Sequence, residues 1–279
     1  MNGISKFSRL ALTATALAAA AACVPAAAQS FSVDEGTVPG ATAATVNAAG
    51  ISFNYSAIID QTLNGATYDG DDPFTESGFL TKASFTDGMG TAVPSQLNAS
   101  PAFAPAGYGI YGLFTIDGTA AQDGSGIHAT FSSATLQLYI DPGQDTTLSF
   151  VGNTATTGGA TGDDYVIASY TLASGEAHVF GGLANGDFDT ILNLTLSDDG
   201  STSDGESYFS SPSPFYTLEN FGGNTQRIDG ASLTESFVAT ASGAGVELFL
   251  APVPEPETYA LMLAGLGALG FVARRRRPS

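Results

Sequence analysis

Two histidines, one cysteine and 27 acidic residues make up most of the reactive inventory of this 279-residue chain, which has no tryptophan. His128 and His178 each lie in a stretch that alternates apolar and polar residues, so each reads as a surface histidine on a strand. The H-E-x-x-H frame of zinc hydrolases does not occur, nor does the G-x-S-x-G elbow of serine hydrolases. The glycines are spread through turns, and no Walker A loop gathers them. Carboxylates are the remaining route to catalysis. Glycoside hydrolysis needs two of them across a sugar, but acids this abundant supply pairs everywhere and single out none. Hard oxygen ligands cluster in "YDGDDPF" (68–74), "IDPGQDTT" (140–147), "GDD" (162–164) and "SDDGSTSDGES" (197–207), the kind of donor that calcium prefers. None fits the EF-hand frame, and Asp in turns commonly bonds its own backbone. The sharpest expectation among them is a loose calcium site at Asp198, Asp199, Asp204 and Glu206. No other cofactor is expected.

The elements that must carry these residues are strands. "GIYGLFTI" (109–116), "HATFSSATLQLYI" (128–140), "DYVIASYTL" (164–172), "EAHVFGGL" (176–183), "FDTILNLTLS" (188–197), "ASLTESFVAT" (231–240) and "GVELFLAP" (245–252) alternate in the way of strands with one buried face. In "TLQLYI", Leu136, Leu138 and Ile140 can point one way while Gln137 and Tyr139 point the other. Turn signals separate the runs at Asn64-Gly65, Ser174-Gly175 and Asn185-Gly186, where a positive φ is cheap. "NASPAFAPAG" (98–107) and "SSPSPF" (210–215) read as loops. Helical periodicity is nearly absent from Gln29 to Pro252. The expectation is an all-β protein with one antiparallel, jelly-roll-like β-sandwich over residues 29–252.

Charge narrows the partners. Of the 27 acids, 25 lie between residues 30 and 252, with only Lys82 and Arg227 as bases, so that segment carries about −23. Such a surface has nothing with which to replace phosphate counterions, and nucleic acid is not an expected partner. The 43% of hydrophobic residues still permits a real core.

The two ends differ from this body. Residues 1–28 read as a signal peptide, with Lys6 and Arg9 ahead of an apolar run from Leu10 to Ala22 and small residues at Ala26–Ala28. Cys23 falls within it; Ala20 stands where a lipobox usually has Leu, so Cys23 is expected to leave with the leader. At the other end, Tyr259 to Ala273 is 15 residues without charge, followed by Arg274, Arg275, Arg276 and Arg277. As a helix it reaches about 22 Å against about 30 Å of hydrocarbon, so it spans only marginally, with the arginines cytoplasmic. Pro254-Glu255-Pro256 keeps the chain extended ahead of it. A short transmembrane helix behind an accessible peptide suits a temporary anchor that a protease removes.

This order over residues 253–279, Pro-Glu-Pro, apolar segment, arginine cluster, resembles the PEP-CTERM sorting signal. The resemblance implies processing by an exosortase in the envelope of a Gram-negative bacterium that makes exopolysaccharide, with the membrane as a transient partner. "FSVDEGTVPG" (31–40), "GYGIYGLF" (107–114), "LYIDPGQDTT" (138–147) and "DDYVIASYTLASG" (163–175) are similar to the flocculation-associated PEP-CTERM protein PepA family. That likeness implies a non-enzymatic exported protein of the cell surface or matrix, associated with exopolysaccharide and floc formation. It supplies no catalytic residues. The alternatives are a secreted carbohydrate-active enzyme and a lectin-like polysaccharide-binding module.

Overall fold

The structure, a computed structural model, describes residues 29–99 and 107–250. The leader expected at 1–28 and the sorting tail, with Pro254, Glu255, Pro256 and Arg274–Arg277, lie outside the described residues, as does most of the loop expected at 98–107.

Fourteen strands follow one another: β1 (Phe31–Asp34), β2 (Thr45–Ala48), β3 (Gly50–Gln61), β4 (Asp69–Thr86), β5 (Gly109–Asp123), β6 (Gly126–Asp141), β7 (Thr146–Val151), β8 (Thr154–Gly159), β9 (Tyr165–Val179), β10 (Gly186–Leu196), β11 (Phe209–Ser211), β12 (Leu218–Thr225), β13 (Arg227–Asp229) and β14 (Phe237–Leu250). A short α-helix, α1 (Gly205–Tyr208), precedes β11, and a 3-10 turn at Glu35–Thr37 follows β1. Eight strands close a ring in the order β3-β4-β5-β6-β9-β10-β12-β14, because β14 pairs with β3 along its length and with β12 through Glu247–Leu250. Every pairing in the ring is antiparallel and ring order follows chain order, which makes an up-and-down barrel.

The expected sandwich is therefore corrected to a barrel, while the all-β reading stands. One expected turn, and one gap between expected strands, lie inside strands. Ser174-Gly175 runs through the middle of β9, and residues 237–240 and 245–250 of the segments expected at 231–240 and 245–252 belong to one β14, which passes Gly245 as a bulge at φ +73°, while 231–236 lie outside any strand. Long strands that curl through bulges can meet edge to edge and bury both sheet edges, which short strands in two flat layers cannot do.

The inward row is apolar. On β6 it runs Phe131, Ala134, Leu136, Leu138, Ile140, all buried, while Ser133, Thr135 and Gln137 between them are exposed. Tyr55 stacks on Phe114 at 5.7 Å, and Phe74 meets Phe131 edge-on at 6.0 Å. Gly78 on β4 makes room for this, since a Cβ there would collide with the Phe114 ring. Two voids inside measure only about 40 and 50 Å³, and side chains from all around the ring fill the interior. Apolar inside and hydroxyl-rich outside is the reverse of a lipid-facing barrel. Among the described residues no helix is long and apolar enough to cross a membrane.

A small sheet, β11-β1-β2, closes the end of the barrel where β3 begins. Phe31 packs there against Phe85, Phe209 and Phe215. Glu35, fully buried, accepts from the Gln96 backbone N–H (2.8 Å), Gln96 Nε2 (2.9 Å) and the Tyr108 hydroxyl (3.1 Å). Tyr108 and Tyr208 share a further bond of 2.7 Å, so the carboxylate ties three segments together with both oxygens engaged.

Candidate functional site

The feature that sets this barrel apart is the β7–β8 hairpin, which leaves β6 and folds back over the outer wall. Acids from two of the loops first suspected of holding calcium root it. Asp141 accepts from the backbone N–H groups of Asp145 (3.3 Å) and Thr146 (3.1 Å). Asp164 accepts from the Tyr111 hydroxyl (2.8 Å) and Thr146 Oγ1 (2.6 Å). Burial pushes the Asp141 carboxyl above its ordinary range, against the pull of those backbone donors. Further along, Phe150 lies on Phe79 at 4.9 Å, the Ala155 N–H donates to Ser77 Oγ at 3.0 Å, and Asn153 Nδ2 donates to Asp60 Oδ2 at 3.0 Å.

Between hairpin and wall runs a groove of about 450 Å³. Its wall side presents Ser77, Thr115, Thr135, Gln137, Ser169 and Thr171 together with the half-buried Leu113, and its hairpin side Thr154 and Ala155. No charged side chain lines it. Register explains the composition: Ser77 pairs with Thr115, Thr115 with Thr135, Thr135 with Thr171 and Thr171 with Asn193. Five hydroxyl or amide side chains thus form one row across β4, β5, β6, β9 and β10. At about 4.8 Å per strand the row is about 19 Å long. Thr115 and Thr135 bond each other at 2.8 Å. Gln137, in the next row, accepts from the Tyr139 hydroxyl at 2.8 Å, and Tyr139 is stacked flat on Tyr111 at 4.9 Å. A second groove of about 300 Å³ lies by Phe150 of the hairpin, between Ser56, Thr240 and Ser242 on one side and Arg227 and Asp229 on the other. Arg227 is held by Asp229 at 2.6 Å. The hydroxyls and amides of the first groove can hydrogen-bond a polyhydroxylated chain.

The calcium residues are placed differently from the expectation. Asp204 is buried and caps α1 by accepting from the Ser207 N–H at 2.7 Å. Asp198 and Asp199 each bond the backbone two residues on, at Gly200 (3.2 Å) and Ser201 (2.8 Å), and the Ser201 N–H holds Asp199 below the usual carboxylate range. Glu206 is exposed on the first turn of α1. The four do not converge; among the described residues the gathered groups are Asp69, Asp71 and Asp72, and His128, Glu176 and His178. In the first of these, Asp72 is buried with both oxygens engaged by the backbone N–H groups of Asn64 (2.6 Å) and Asp69 (2.9 Å), which is a turn lock.

Sequence reasoning placed the two histidines on strands but apart. The structure pairs them directly, β6 against β9, with rings 4.5 Å apart and 12° from parallel, and puts Glu176 Oε2 3.3 Å from His128 Nε2. It also missed two carboxylates inside the barrel. Burial raises Glu76 and Glu219 each to about 7, partly offset by hydrogen bonding to Tyr55 and Tyr170 respectively. The Tyr55 hydroxyl donates to Glu76 Oε1 at 2.6 Å, whereas Glu219 Oε2 has no partner. A Glu alternating with apolar residues in "PFTESGFL" and "LENF" was the available signal.

Residues 252–277 match the PEP-CTERM protein-sorting motif, which covers the Pro-Glu-Pro and arginine cluster read from the sequence. The motif implies exosortase-dependent sorting of an exported protein to the cell envelope or surface. No curated protein and no solved structure gives a significant match to the chain.

Proposed function

We propose that the barrel is a non-enzymatic matrix component that binds exopolysaccharide along its outer wall and so helps cells form flocs. The observation that carries this reading is the uncharged hydroxyl row under the β7–β8 hairpin, on a segment whose formal charge is otherwise about −23. A neutral polymer is held by such a row without the repulsion that an acidic surface imposes on an acidic one. The absence of any carboxylate from the groove lining supports binding over hydrolysis, because glycosidases act through two. Likeness to the flocculation-associated PepA family supports the assignment to flocs, and the sorting motif supplies delivery.

The test is co-sedimentation of the purified full chain with exopolysaccharide from the same cells. Thr135→Val and Thr171→Val together remove two hydroxyls at nearly constant shape and are expected to weaken retention several-fold. Unchanged retention by a folded double variant rejects the groove. Release of reducing ends during the incubation would instead establish the carbohydrate-active enzyme. Retention competed by one free sugar would identify a lectin-like module. In cells, deletion of the gene is expected to abolish flocs, and intact flocs in the deletion strain reject the matrix role.

Exposed Asp198, Asp199 and Glu206 extend this reading to acidic polymers, as single-point partners for calcium ions bridging to the polysaccharide. Substituting the three with amides is then expected to lower calcium-dependent retention while calcium-independent retention stays unchanged.

A further inference from the structure

The chain's only two histidines, far apart in sequence, meet in one cross-strand pair. On β6, Ile127, Ala129 and Phe131 point inward, so His128 points out; on β9, Glu176 and His178, two residues apart, share that outer face. Each of the three offers a ligand atom within 4.8 Å of the others. In a tetrahedral site with bonds of about 2.1 Å, neighbouring ligand atoms stand about 3.4 Å apart. His128 and Glu176 already stand at 3.3 Å, and turning the His178 ring out of its stack on His128 brings its nitrogen to a third corner. The next strand adds charge of the right sign, with Asp187 opposite His178 and Asp189 opposite Glu176. Among the described residues the only bases are Lys82 on β4 and Arg227, the latter engaged with Asp229.

We propose that His128, Glu176 and His178 form a binding site for a divalent transition-metal ion of the zinc class on the outer wall, at the barrel end away from the β11-β1-β2 sheet. Two imidazoles and one carboxylate select such an ion over calcium, which takes oxygen ligands. Three protein ligands leave one position for water or for a group on another molecule. The site is independent of the hydroxyl groove: it uses none of the groove's side chains.

The probe is zinc chloride titrated calorimetrically into the purified full chain, with Cys23→Ser alongside because a thiol also binds zinc. One zinc per chain is expected in both. His128→Ala and His178→Ala should each weaken binding by more than the roughly tenfold that loss of an outer-shell partner costs, with Glu176→Gln weakened less. Because these side chains point outward, circular dichroism and the melting temperature should not change. With Cu²⁺ as a second probe, electron paramagnetic resonance should show hyperfine coupling to two imidazole nitrogens, and to one in either histidine variant. Zinc affinity that survives His178→Ala, follows Cys23 instead, or is lacking in the wild type at millimolar zinc overturns the site. So does a copper spectrum without two nitrogens.

Discussion

The inner and outer faces of the barrel wall are built from the same strands and obey opposite rules. Inward positions are fixed by volume: Phe114 lies over Gly78, and Leu138 and Ile140 on β6 have no exposed surface. Outward positions are packed far less, yet one row across β4 to β9, Ser77, Thr115, Thr135 and Thr171, carries hydroxyls in register. A face without a packing constraint that still holds one chemistry over four strands is where binding is best sought. The comparison sharpens if inward changes cost stability alone and outward changes cost binding alone.

The largest effect is expected inside. Phe114→Ala removes the ring that stacks on Tyr55 and should lower unfolding free energy by about 3–5 kcal/mol, read from the urea midpoint. Gly78→Val forces a branched side chain into the same ring and should fail to give a cooperative transition. A mild loss in either would mean that the inner face is looser than its filled core indicates.

Carboxylates test the comparison next, because some are buried with few hydrogen-bond partners and most are exposed. Glu76 and Glu219 are lifted from an ordinary 4.5 to about 7, so folding favours their neutral forms. Their contribution is complete below about pH 4.5 and is lost as pH rises through 7, up to roughly 3 kcal/mol each. Melting temperature should fall between pH 5 and pH 8. The surface acids also repel less at low pH, so the decisive result is that Glu76→Gln with Glu219→Gln flattens the profile by raising stability at pH 8. An unchanged slope in that variant would assign the effect to surface repulsion. Glu35 is equally buried but accepts three hydrogen bonds, and Glu35→Ala should cost about 3 kcal/mol by leaving its donors unpaired.

What the sequence made legible follows from this difference. Alternation along one strand is local, so the inward row of β6 and the all-β class were readable from "TLQLYI" and its kin. Closure was not, because it depends on β14 reaching β12, a pairing that no local pattern encodes. β3 alternates cleanly through Ile51, Phe53, Tyr55 and Ala57 and was overlooked; β4 and β12 escaped notice for a related reason. Their inward rows include Glu76, Gly78 and Glu219, polar or small residues that blur an apolar period. The hydroxyl row and the histidine pair exist only laterally. Thr115, Thr135 and Thr171 are ordinary strand threonines one at a time, and His128 and Glu176 are 48 residues apart. The acidic loops differ in another way: Asp141, Asp164 and Asp204 look like ligands in a string but accept hydrogen bonds at a hairpin root and a helix cap, Asp164 through Oδ2 alone with Oδ1 unpartnered.

The smallest effect on stability is expected on the outer wall. Thr115→Val and Thr135→Val remove one mutual hydrogen bond of 2.8 Å at an exposed position, where water replaces it, so stability should move by no more than about 0.5 kcal/mol. A β-branched residue also keeps the strand propensity of threonine. Binding should respond differently, because a polymer lying across the strands meets the row at consecutive positions and loses a fixed donor and acceptor at each. If retention on exopolysaccharide weakens in step with the number of hydroxyls removed while the melting temperature stays within about a degree or two, the outer face is a binding surface and the inner face its support. If instead stability falls and retention does not, the row belongs to the packing of the β7–β8 hairpin, and the two faces of the wall serve one purpose.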